Sequence, residues 1–258
     1  CKMNMVLHGI VDFNITYGDT LANPQQKDEG GKLKTYDRVL ANFPFSMNWD
    51  NKGAEKDPFN RYEFGVPPAK DKADFAFIQH MYAQLNDKGQ AAIVCSQGVL
   101  FRGSVEQKIR EGLIAQDAIE AIIAIPEKLF FGTGIPACVM ILNKNKPKAR
   151  KDKIIFIYGA KDYKEGKNRN TLRDEDITKM VKAYDDFKDI DRYCHVADSA
   201  ELKENEYNLN VPRYVDISEP EEEIDIQKVI NELKDLDKER NELESKVNTD
   251  LKELGFKI

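Results

Sequence analysis

Apolar residues at positions 75, 77, 78, 81, 82 and 85 recur at helical spacing, which predicts a helix over 73–86. Unbroken apolar runs at 91–95, 119–125, 138–142 and 154–158 read instead as buried strands. Lys88-Gly89 is the expected turn into the first of them. Ser104, with Gln107 three residues on, predicts an N-cap and capping box for a helix running to about Ala115. A second helix is expected over 175–187, and the first residues read as the end of a helix stopping at Gly9. Ahead of these, 14–17 predicts a short strand closing on Gly18-Asp19-Thr20-Leu21, and 36–41 predicts another. Strands alternating with helices imply an α/β fold, a mostly parallel sheet with helices on both faces.

Two stretches break the alternation. The 43–72 loop is rich in Pro, Gly, Asn and Asp, and loops of that length are usually functional or mobile. Beyond 144–153, a basic connector, and 204–214, which looks extended, the chain changes character. An acidic hinge at 219–223 leads into apolar positions 226, 229, 233, 236, 243, 247, 251 and 254. Their 3/4 spacing predicts one amphipathic helix over 224–254, roughly 45 Å long at ~1.5 Å per residue. Two domains are therefore expected, 1–218 and 219–258.

Composition narrows the function classes. Of the 258 residues 41% are hydrophobic, enough for a sizeable core without disulfides. The net charge of −6 argues against gripping nucleic acid by bulk charge, while leaving room for a local basic patch. The four cysteines (Cys1, Cys95, Cys138, Cys194) form no CxxC, and with three histidines they suggest no metal site. No apolar run reaches the ~18 residues of a membrane span, and no signal segment precedes the first motif. The expectation is a soluble, cytoplasmic protein with reduced thiols.

The chemistry is concentrated in Asn42-Phe43-Pro44-Phe45-Ser46, where an apolar strand runs straight into Asn, Pro and an aromatic. The Asn42 amide oxygen and a neighbouring backbone carbonyl can accept hydrogen bonds from an exocyclic amine. Phe45 can stack on the ring that carries the amine, a contact worth ~1–3 kcal/mol per base. The plainer alternatives are that Asn42 caps a turn and that Phe45 is a core aromatic. Lys144, Lys146, Lys148, Arg150, Lys151 and Lys153 either meet phosphates or decorate a solvated loop.

The motif resembles the Asn-Pro-Pro-aromatic signature of amino-group methyltransferases, with Phe43 standing where the first Pro is usual. The likeness extends through Gly18-Asp19-Thr20-Leu21, 73–77, 98–103, Phe130-Phe131-Gly132-Thr133-Gly134-Ile135-Pro136 and 207–214. In that order these elements resemble the C-terminal portion of a type I restriction-modification methylation (M) subunit.

The resemblance implies a Rossmann-like, S-adenosylmethionine-dependent methyltransferase sheet, incomplete at its N-terminus, transferring methyl to adenine N6 in DNA. It implies that Asn42 and the Phe43 carbonyl accept from the adenine amine, with Pro44 and Phe45 completing the catalytic motif. Losing the first Pro removes a φ lock and is expected to loosen the loop. Phe130 or Phe131 would be the second stacking wall, with Gly132, Gly134 and Pro136 shaping its loop. Asp19, and with it Asn42, would face the S-adenosylmethionine; the plainer alternative for Asp19 is a turn cap. The glycine-rich loop for the cofactor's methionine moiety is absent from these residues, so weak cofactor binding is expected. Implied partners are DNA, a specificity (S) subunit, a second M subunit and a restriction (R) subunit, with the C-terminal helix as the assembly element. RNA or a protein glutamine as acceptor, and a non-catalytic assembly piece, are the competing readings.

Overall fold

The apolar runs come together edge to edge in one sheet, because runs buried on both faces need helices above and below them. The computed structural model describes residues 1–70, 72–131, 134–218 and 226–253. The strands are β1 (Tyr36–Asn42), β2 (Leu85–Ser96), β3 (Ile119–Ala124), β4 (Ala137–Asn143), β5 (Lys153–Tyr158) and β6 (Cys194–Asp198). Their spatial order is β1-β2-β4-β3-β5-β6.

Strands β1, β2, β3 and β5 share one direction, while β4 and β6 run against them. The sheet is mixed rather than mostly parallel. The cause is local: the β3–β4 connection carries no crossover helix among its described residues, so β4 returns antiparallel beside β3. A short α1 (Lys2–Leu7) opens the chain. Helices α2 (Asp74–Ala83) and α3 (Val105–Ala115) bury Phe75, Ile78, Ile109 and Leu113 in one cluster with Ile93, Ile122 and Met140. Helix α4 (Asp174–Asp186) supplies Ala183 to a second cluster with Ala121, Ile155 and Ile157. Both faces of the sheet are thus covered, as an α/β fold requires.

Several local expectations need correction. Residues 14–17 form no strand: the segment pairs with no neighbour, and Tyr17 is fully exposed. The turn expected at Lys88-Gly89 lies inside β2, which bulges there. Tyr36 faces Leu85 but Arg38 already faces Gln90, and a Cβ on Gly89 would sit 2.8 Å from the Tyr36 carbonyl. Ser104 does precede α3, yet its φ of 62° turns the side chain out of capping position, and Gln107 bonds Glu111 instead. The stretch expected to be extended opens as the end of α5 (Ser199–Glu204), and Glu206 and Tyr207 both take positive φ.

The basic connector is a solvated loop only in part: Lys148, Lys151 and Lys153 are exposed, while the other three cations are tied down. Lys146 is buried, donating to Asp117 and to the Lys153 carbonyl. Lys144 donates to the Leu85 carbonyl and sits 4.6 Å from the Tyr82 ring. Arg150 pairs with the fully buried Glu120 and lies over Tyr184 and Phe187.

The chain divides into two units, Cys1–Ile217 and Ser218–Ile258. In the second, α6 (Ile226–Glu253) has 28 residues, ~42 Å at 1.5 Å per residue, with Leu233, Leu236, Leu243 and Val247 more than half exposed. The expected acidic hinge at 219–223 and the terminal Leu254 lie outside the described residues. Among the described residues no helix is long and apolar enough to cross a membrane.

Candidate functional site

Strand β1 delivers Asn42 to the carboxyl rim of the sheet, opposite Val94 of β2. Its side chain is exposed and makes no hydrogen bond to another described residue, so the amide is free to receive a donor. The chain then dives: Phe43 is 6% exposed and stacks on Phe77 of α2, ring centroids 4.9 Å apart and 16° from parallel. A buried, stacked ring here replaces the φ restraint of the usual Pro with an anchor of its own. Pro44 is exposed, and Phe45 is half-buried, edge-on to Phe43 at 6.2 Å.

Ser46 takes φ of 51°, a left-handed conformation unfavourable for a residue with a Cβ. What holds it is Asp74, at the start of α2, whose Oδ1 accepts from the Ser46 N–H at 2.8 Å. The other oxygen of this fully buried carboxylate accepts from Arg102 at 2.9 Å and from the Ser96 hydroxyl at 3.3 Å. Arg102 also bonds Glu106, and Lys72 reaches Glu106 from the other side. Burial pulls the Arg102 guanidinium down, but its bond to Asp74 and the two carboxylate charges outweigh this and hold it above its ordinary value. Two carboxylates and two cations therefore close the motif loop onto β2, α2 and α3.

Sequence reasoning assigns Asp74, Ser96, Arg102 and Glu106 no role. The available signal is a lone carboxylate in Ala73-Asp74-Phe75-Ala76-Phe77 and a lone cation in Gly98–Gly103, since charges in apolar runs are seldom buried unless paired. The long loop that follows Ser46 is pinned at several points, by Trp49 N–H to the Ala69 carbonyl, the Trp49 indole to Pro68, Asn51 to Pro67 and Gln79 to Gly65.

The two candidate second walls separate clearly. Phe130 meets Phe45 edge-on at 6.4 Å and 90°. A base sandwiched between parallel rings needs roughly 7 Å between them, twice the ~3.5 Å contact distance, so this pair must part before a base can enter. Phe131 is 86% exposed, with the Arg169 guanidinium 4.1 Å from its ring centroid. Gly132 lies outside the described residues; Gly134 is exposed, and the Pro136 carbonyl accepts from the Gln97 N–H.

Asp19 lies on a segment of its own ahead of β1. No strand precedes it, and its Oδ1 accepts from the Leu21 and Ala22 N–H groups, a turn-capping arrangement. It lines a recess of about 190 Å³ with Thr16, Gln25, His80 and Gln84. His80 and Gln84 lie six and ten residues beyond Asp74 along α2, roughly 9 and 15 Å at 1.5 Å per residue. The recess is smaller than the ~300–1,000 Å³ of typical cofactor sites. These residues alone therefore do not enclose a whole S-adenosylmethionine.

Asn42 thus presents an exposed amide at a strand end with the half-buried Phe45 three residues on, and relatives align with most of the chain that contains them. The chain is 39% identical over 253 residues to the type I restriction enzyme MjaVIII methylase subunit of Methanocaldococcus jannaschii, covering 92% of this chain and 43% of that protein. It is 31% identical over 258 residues to the MpnII methylase subunit of Mycoplasma pneumoniae, covering 96% and 46%. The crystal structure of the type I restriction-modification methyltransferase subunit from Streptococcus thermophilus superposes with a TM-score of 0.76 at 41% identity, over 84% of this chain and 45% of that one. The chain thus spans less than half the length of these relatives. The N-6 DNA methylase family profile matches residues 1–223, which take in β1, its Asn42 terminus and the whole of the sheet, and the chain belongs to that family.

Proposed function

We propose that this chain is the acceptor-base half of a type I restriction-modification modification subunit, which transfers methyl from S-adenosylmethionine to adenine N6 in DNA. The observation that carries the reading is Asn42: an exposed, unbonded amide at a strand end, held by a loop that a buried Asp74 closes. An adenine amine is a poor nucleophile because its lone pair is delocalised into the ring. Accepting its N–H bonds through the Asn42 oxygen and the Phe43 carbonyl favours a more pyramidal nitrogen. Phe45, once clear of Phe130, offers a face for the extruded ring, offsetting the few kcal/mol of unstacking.

The donor side of the reaction is not built by these residues. Assembly with a specificity subunit, a second modification subunit and a restriction subunit is part of the same proposal, in a cytoplasmic complex. The exposed stripe of Leu233, Leu236, Leu243 and Val247 on α6 supports it, since a lone amphipathic helix needs a surface to bury its apolar side. Residues 1–218 are then the catalytic domain and 219–258 the assembly helix.

The test is Asn42→Ala in the full-length protein with its partner subunits. Methyl transfer to DNA should fall about 10²–10³-fold while the complex still forms, as when one transition-state hydrogen bond is removed. Turnover within a few-fold of the parent would end the assignment.

A further inference from the structure

Next to the Asn42 rim, the carboxyl ends of β2, β3 and β5 enclose a cavity of about 340 Å³ that the motif does not use. Its apolar floor is Leu100, Ile125 and Pro136. Ile125 also packs in the cluster that holds Phe45 and Phe130, so the cavity is one side chain away from the stacking pair. The volume lies in the range of small-molecule sites.

The walls are preformed. The Leu209 N–H donates to the Leu100 carbonyl at 2.8 Å, laying the 207–212 segment against the end of β2. Arg110, 1% exposed, fixes the same junction by donating to the carbonyls of Tyr207, Val99 and Arg102. Burial pushes this guanidinium down to about 10, which still leaves it charged at neutral pH.

The polar groups facing the cavity are unspent. Gln97 and Asn210 are half-buried, and neither side-chain amide bonds another described residue; the same holds for the hydroxyls of Tyr158 and Tyr163. Each amide offers a donor and an acceptor side by side, the pairing that suits the N6/N7 edge of adenine. The tyrosines offer faces for stacking. Glu127 is the charged group on the rim, and among the described residues no cation lines the cavity, so a phosphate is repelled and an exocyclic amine is welcomed.

We propose that this cavity is a second base-binding site, distinct from the Asn42–Phe45 site, which takes a purine and by preference adenine. It rests on the DNA reading only for the source of the base, a neighbour of the one presented to Asn42. The site itself is tested without methyl transfer. Titration of this chain with 2′-deoxyadenosine, followed by NMR, should show weak saturable binding, tighter than for thymidine. Gln97→Leu and Asn210→Leu should each weaken it about tenfold, the loss of one paired edge, with circular dichroism unchanged. No saturable binding up to about 10 mM, where even millimolar affinity would register, or undiminished affinity in both variants, overturns the proposal. Photolabelling of the unchanged protein with 8-azido-2′-deoxyadenosine needs no variant. Label on 158–163 or 210–217 supports the site, and label confined to 42–45 or 130–131 overturns it. Loss of methyl transfer in Asn42→Ala bears on neither result.

Discussion

Helix α2 has a loop tied to each end, and the ties differ in kind. At its start, Asp74 receives the Ser46 N–H, the Ser96 hydroxyl and Arg102, while Phe43 stacks on Phe77 one turn on. At its far end, Arg61 reaches across: its guanidinium donates to the Thr20 and Leu21 carbonyls, meets His80 Nδ1 at 3.3 Å and pairs with Asp57 at 2.6 Å. Leu21 adds apolar packing against Tyr62, Ala73 and Ala76, but most of the segment before it is exposed. The Asn42 end is fixed by several independent contacts, so its backbone is set by the fold itself. The Asp19 segment is held by the packing of Leu21 and by one polar side chain, Arg61.

Removing that side chain should therefore give the largest effect. Arg61→Met strands the Asp57 carboxylate, 5% exposed, and leaves two carbonyls without their donor. Breaking a buried pair this way costs about 3–5 kcal/mol, or roughly 10 °C in Tm for a domain of this size. Hydrogen exchange should rise over 16–26 and stay unchanged at 42–46. Uniform loss of protection at both ends would mean that the two ties are not separable.

Asp74→Ala should cost less, about 2–3 kcal/mol in urea unfolding, because Arg102 is 21% exposed and keeps Glu106 as partner. Trp49, the chain's one tryptophan, sits in the loop beyond Ser46 and should report the release as a red-shifted emission. Asp74→Asn retains an acceptor for Ser46 and should recover most of the loss. Equal damage from Ala and Asn would show that charge pairing with Arg102, rather than the Ser46 bond, holds the loop.

The same contrast separates what is legible in the sequence from what is not. The apolar runs at 119–125, 138–142 and 154–158 are β3, β4 and β5 within a residue or two at each end, since burial on both faces admits few alternatives. Strand β6 is invisible in sequence because Cys-His-Val-Ala-Asp has no periodicity and is defined by pairing with β5. At the site, Asn42 and Phe45 are legible because local order puts them at a strand end. Asp74 and Arg102 are not, because they stand 28 positions apart and meet only once the chain between them has folded. Lys146 and Arg150 look like surface charge for the same reason: their partners Asp117 and Glu120 lie on the far side of β4 in sequence. Asp19 is expected behind a strand that has no partner to pair with, and only the fold shows it capping a turn.

The smallest predicted effect concerns the Asp19 end again. His80 is 3% exposed; burial, and then the Arg61 charge beside it, push the imidazole down to about 4 from 6.5. Asp57 also faces this cluster, but its carboxyl is held below 3.8 by Arg61 despite burial, so it stays ionised through the range that matters. Between pH 6.5 and 4 the unfolded chain takes a proton at position 80 that the folded chain refuses. Folding is then opposed increasingly as pH falls through that window, and unaffected above it. From pH 7.5 to 5 the loss is about 2 kcal/mol, ~1.5 pH units below 6.5 at 1.36 kcal/mol each. In His80→Gln the amide oxygen still accepts from Arg61 and nothing titrates at that position. Urea midpoints for the parent should fall over this range more steeply than for the variant, by that amount. Parallel pH profiles for the two would show that His80 takes up its proton as readily in the folded state as in the unfolded one, and that neither burial nor Arg61 holds it neutral at this end of α2.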